Sequence, residues 1–148
     1  MPTVHARTAI RDAIATLVTG LASTGSRVHK AYTYPKGKSA LPCLLVRVGD
    51  EQVAPGTIDR AQERTLDIVI TGMVLDRDDI DAQLNQIALE VETAIRAADP
   101  SLGGKVLDLW LESVRSDLDI SLQEPCGRID LIYQATYFTT AGVPGVIS

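Results

Sequence analysis

The chain has 148 residues and a net charge of −5; it is 45% hydrophobic and 22% charged. That length suffices for one domain with a real core, and no apolar run approaches the ~20 residues of a membrane span. The acidic total argues against a dedicated DNA binder, which needs a basic footprint.

The charge is uneven. Residues 1–48 carry seven bases (Arg7, Arg11, Arg27, Lys30, Lys36, Lys38, Arg47) and one acid, Asp12, whereas residues 49–148 carry seven bases and eighteen acids. Such asymmetry either matches one face of a subunit to the opposite face of the next or belongs to sequence halves that are not spatial halves. Arg7, Arg11 and Asp12 also interrupt any signal-peptide core, so the protein is expected to be made and kept in a cytoplasm.

A first helix is expected from about Val4 to Leu21, where Ile10, Ile14, Leu17, Val18 and Leu21 recur at helical spacing. A short strand, Val28–Tyr34, and a nearly all-apolar strand, Leu41–Val48, follow. Residues 49–63 read as a long polar loop, either a mobile hairpin tip or a segment that orders against a partner. The third strand is Arg64–Leu75, with Leu66, Ile68, Ile70 and Val74 on one face and Gly72 marking a bulge or bend.

The second helix, capped by Asp78 or Asp79, carries the stripe Ile80, Leu84, Ile87, Val91 and Ile95 and stops near Ala98, before Asp99-Pro100. A strand from Lys105 to Arg115 turns Leu107, Leu109 and Leu111 inward and Asp108, Trp110 and Glu112 outward. Ser116–Gln123 is weakly patterned. Gly127–Thr140 is a strand of unusual length, roughly 46 Å if fully extended. A compact domain of this size is roughly 38 Å across, so the strand must bend or reach past its own globule. Its polar face is Arg128, Asp130, Gln134 and Thr136, interrupted by Ile132 and Phe138; Ile129, Leu131, Tyr133 and Tyr137 point inward. A Gly142-Val143-Pro144-Gly145 tail ends the chain.

The order α-β-β-β-α-β-β gives an α+β fold, a single domain over 1–148. The expectation is a mainly antiparallel sheet of about five strands with two helices on one face and a long loop at 49–63.

No catalytic, cofactor-binding or metal-ligating residues emerge. Gly20 to Arg27 imitates a phosphate loop, but it lacks the lysine and follows a helix. Asp76 to Asp81 imitates a calcium loop, yet Asp81 stands where that loop needs glycine and Ile87 where it needs glutamate. Cys43, Cys126, His5 and His29 are too scattered for a metal set and the cysteines read as buried thiols. Asp108 and Glu112 would lie roughly 13 Å apart on a strand, too far for a retaining glycosidase pair. The only tryptophan, Trp110, sits on a polar strand face, where it is either covered by a local loop or the C-terminal tail or serves as an interface anchor.

Taken in order, several segments resemble the tail terminator (tail completion, minor tail protein U-like) family of long-tailed bacteriophages. They are the helix R-x-x-I-R-D-A-I-A-x-L-V from Arg7, the strand Ala40-Leu41-Pro42-Cys43-Leu44-Leu45-Val46, and the alternating strand from Arg64 to Ile70. The helix Asp81–Ala98, Leu102-Gly103-Gly104-Lys105-Val106, and Tyr133 to Gly142 complete the likeness. The resemblance implies a non-enzymatic virion protein, assembled in the host cytoplasm. It would form a homo-oligomeric ring, usually a hexamer, at the head-proximal end of the tail. Its partners would be the tail tube protein and a head-completion or connector protein. DNA would pass through the lumen without sequence-specific binding, with no membrane and no cofactor involved. A head–tail connector of similar fold and a small-ligand-binding regulatory α+β domain are the alternatives.

The residues themselves nominate an interface of Arg27, Lys30, Lys36, Lys38, Asp50, Glu51, Asp59, Arg60, Glu63, Trp110, Arg128, Ile132 and Phe138.

Overall fold

The computed structural model describes residues 4–30, 42–55, 60–75, 79–119 and 126–147. The elements are α1 (Ala6–Leu17), β1 (Val28–His29), β2 (Cys43–Pro55), β3 (Ala61–Leu75), α2 (Ile80–Ala97), β4 (Asp108–Asp119), β5 (Cys126–Thr140) and β6 (Val143–Ile147). The fold is α+β with an open, mostly antiparallel sheet in the order β1-β2-β3-β5-β4, and β6 pairs with β5. Among the described strands only β1 runs parallel to its neighbour, β2.

The length of β5 has a simple structural answer. β3 is just as long, and the two pair without a register shift from Ala61↔Thr140 to Leu75↔Cys126. An 18-residue helix such as α2 spans about 27 Å, whereas 15 strand residues span about 50 Å. The strands therefore outrun α2. Beside it α1 packs on β2 and touches β6. Inward residues of β5 alternate as expected: Ile129, Leu131, Tyr133, Ala135 and Tyr137 are all buried. They join Ile10 and Ile14 of α1 and Leu84, Ile87 and Val91 of α2 in one core. At about 1.5–3 kcal/mol for each fully buried large aliphatic side chain, this face dominates the stabilisation.

Two sheet glycines set how closely α2 lies. A Cβ at Gly72 would fall 2.8 Å from Ile87 Cγ2, and one at Gly127 would fall 2.5 Å from Ile80 Cδ1. Gly72 is thus not a bulge: it pairs in register with Leu44 on one side and Ile129 on the other. Its role is to make room for the helix. Gly72→Ala is expected to destabilise the protein by about 1–3 kcal/mol through overpacking. Urea unfolding checks this, and a variant as stable as the parent would contradict such a close approach.

Other expectations need correction. α1 ends at Leu17 rather than Leu21, because Gly20 adopts φ 88° and the chain closes a turn in which Gly25 N donates to Leu21 O at 2.7 Å. Of the strand expected over Val28–Tyr34, Val28 and His29 are strand, and residues 31–34 lie outside the described residues. Most of the supposed loop 49–63 is hairpin: β2 continues to Pro55 and β3 begins at Ala61, with a bulge between Val48 and Glu51. Residues 51–55 are polar or exposed, yet they are held by ladder pairing with β3. β4 starts at Asp108, so Leu107 does not face in; it is 70% exposed. Ser116–Asp119 belong to β4, and the glycine-rich tail forms β6 after a turn at Gly142.

Asp79 caps α2, its carboxylate accepting from Ala82 N at 3.2 Å. Glu90 of α2 reaches the turn after α1. It accepts from Ser23 N at 2.8 Å and from the Ser23 hydroxyl at 2.6 Å. Partial burial pushes this carboxyl up, but the two Ser23 hydrogen bonds outweigh it and hold it below the usual carboxylate range. The contact ties the turn between α1 and β1 to α2, which packs on β3 and β5.

Candidate assembly surface

The nominated residues occupy several places rather than one site. Lys36, Lys38 and Asp59 lie outside the described residues. Asp50 is exposed in the bulge of β2, and Arg60 and Glu63 are exposed near the distal end of the β2–β3 hairpin, where Glu63 pairs in register with Phe138. Arg128 and Ile132 belong to the sheet face away from the helices. There Arg128 Nη2 sits 3.1 Å from Asp130 Oδ2, and Asp130 Oδ1 accepts from the Thr71 hydroxyl at 2.6 Å. Ile132 is half-buried, in register with Val69 and Ser113.

Glu51 is engaged inside the subunit. Its side chain is 7% exposed and lies 2.7 Å from Arg64 Nη1, while its second oxygen accepts from the Tyr137 hydroxyl. Arg64 also donates from Nε to Thr139 Oγ1 at 2.8 Å and from Nη2 to Gln62 Oε1 at 3.2 Å. This network lies where β2, β3 and β5 leave the core. The sequence offered no sign of it, because it depends on Arg64 standing directly opposite Tyr137 in the ladder.

Arg27 is partly internal too, donating from Nε to Pro42 O at 2.7 Å and from Nη2 to Ser23 O at 3.3 Å. Lys30 remains open to solvent, its side chain 53% exposed. It reaches to 3.6 Å from Asp12 Oδ1, the same oxygen that Arg11 Nη2 approaches at 3.0 Å. Two cations thus converge on one carboxylate oxygen. Arg11 was not among the nominated residues, and only the fold brings it beside Lys30.

At the opposite edge, β4 is the last strand of the sheet. Trp110 is 38% exposed there and lines a cleft of about 470 Å³ between β4 and the C-terminal half of α2. Glu92, Arg96, Leu109, Leu111 and Tyr133 contribute to its walls. Asp108 and Glu112 are exposed on the same strand, and Glu112 occupies a bulge between the pairs Leu111↔Tyr133 and Ser113↔Ile132. Val114 adds exposed apolar surface.

Burial, with Glu92 nearby, pushes the Tyr133 phenol up to about 12, and burial with the Glu51 hydrogen bond pushes that of Tyr137 higher still. Both folded values lie above the unfolded value of about 10. Their contribution to stability is therefore complete below pH ~10 and is lost as the pH rises through the folded values. In a spectrophotometric titration, two of the four tyrosines are expected to ionise only at about pH 12 or above, together with alkaline unfolding. All four titrating near pH ~10 in the folded protein would contradict this burial.

Among the described residues no group of three or more His, Cys, Asp or Glu side chains is placed to hold a metal ion. No described helix is long and apolar enough to cross a membrane. No known family profile and no curated protein matches the chain. Its fold is similar to that of a chain in a solved structure described as the virion of a native gene transfer agent (GTA) particle. The TM-score is 0.51 at 22% identity, and the likeness covers 83% of this chain and 82% of that one.

Proposed function

We propose that this protein is a structural virion subunit that forms a ring, six subunits in this reading, on the head-proximal end of a phage-type tail tube. There it ends tube polymerisation and offers the surface to which the head joins. The observation that carries this reading is the fold likeness to a virion-particle chain over about four-fifths of both chains. The order of segments that resembles tail terminators supports it. So does a sheet whose two edges differ in charge and shape, since a ring needs a heterologous contact whose rotation closes.

In this role the protein performs no chemistry. The ring caps the tube by occupying the surface on which the next tube subunit would add, and its lumen passes DNA. The partners are further copies of the chain, the tail tube protein and a head-completion protein. Gold-labelled protein added to a mixture of purified tubes and tailless heads is expected to mark one end of each tube. Label on heads that lack tails, with bare tubes, would instead favour a head-completion role. Label on neither would overturn both.

A further inference from the structure

The β4 edge and its cleft carry exposed Trp110, Leu107 and Val114. We propose that this edge receives the α1–β1 edge of a second copy of the chain. The proposal rests on the ring reading and names the two surfaces that would meet in it.

Strands β1 and β4 stand at opposite ends of the strand order among the described residues. β4 carries four acids (Asp108, Glu112, Asp117, Asp119) and one base, Arg115, whereas Arg27 and Lys30 flank β1 and Arg11 approaches the same Asp12 oxygen as Lys30. Each edge also has a local feature that fits the other. On the basic side Arg11 and Lys30 share Asp12 Oδ1, which leaves one positive charge in excess beside an exposed lysine. On the acidic side exposed Trp110 lies two residues along β4 from Asp108 and two from the bulged Glu112, with Glu92 on the wall of the cleft. An aromatic side chain on an acidic surface takes a guanidinium or ammonium group by cation–π attraction and charge-assisted hydrogen bonding.

Leu107 and Val114 supply apolar area that edge-to-edge docking would bury. A free strand edge is otherwise a liability for unspecific pairing, and the charges along β4 restrict what can approach it. Because the two surfaces differ, each docking event leaves one edge of each kind open. Successive copies add in a single direction until the ring closes.

Sedimentation velocity of the full chain tests this. At about 50 mM salt the parent is expected to self-associate, and at about 500 mM the association is expected to weaken at least tenfold through screening. Asp108→Arg/Glu112→Arg and Arg11→Glu/Lys30→Glu should each be monomeric alone while keeping the parent's circular dichroism. An equimolar mixture of the two should re-associate, because an intact basic edge meets an intact acidic one. Should either reversal unfold the chain, Asp108→Asn/Glu112→Gln and Arg11→Gln/Lys30→Gln are the milder pair, each expected to weaken association at least tenfold. A parent that stays monomeric at low salt, association indifferent to these substitutions, or a mixture that fails to re-associate would overturn the proposal. If the edges pair as described but tails keep their normal length without this protein, the terminator reading fails alone. If such tails overrun while the charge variants associate like the parent, the edge pairing fails alone.

Discussion

Arg64→Ala is expected to lower stability by about 3–5 kcal/mol, the cost of leaving a buried partner charge uncompensated. The Arg64 and Glu51 side chains are 11% and 7% exposed. Removing the guanidinium strips Glu51 of its ion pair and leaves the Thr139 and Gln62 side chains without their donor. The carboxylate would retain the Tyr137 hydroxyl. Replacing both members, as in Arg64→Met/Glu51→Met, should restore most of the loss, because desolvating an ion pair roughly offsets its attraction. Denaturant unfolding of the two singles and the double closes the cycle. Additive losses would show that the two groups do not depend on one another.

Leu131→Ala is the second large effect, about 2–5 kcal/mol. Leu131 is fully buried on the helix-facing side of β5, in register with Ile70 of β3 and Val114 of β4. Backbone ladders on both sides limit how far the site can collapse, so the loss should fall in the upper part of that range. The same substitution at exposed Val114 should cost far less. Similar losses at the two positions would mean that β4 is covered on its helix-facing side.

The regular parts of this fold were legible because their periods are strong. The stripe of α2 and the alternation from Ile129 to Tyr137 both follow from spacing alone, and both face the core. Residues 51–55 were not legible as strand. They belong to the polar stretch 49–63, which resembles a loop, and they are extended because β3 holds them. Gly72 shows a related limit: the sequence reveals a glycine in a strand, but only the packed helix shows that Ile87 needs the space. Leu107 fits an alternating pattern and yet lies before the strand begins.

The candidate surface was legible in part. Trp110 could be placed on a polar face by alternation. Strand order, which no local pattern encodes, is what sets β1 and the acidic β4 at opposite edges. Glu51 and Arg27 were nominated for charge alone, and the fold engages both inside the subunit.

The length distribution of tails made without this protein tests the terminator role most directly. Electron micrographs should show tubes of variable and excessive length, without attached heads, and normal tubes once the protein is restored. Tubes of normal, uniform length in its absence would contradict the account.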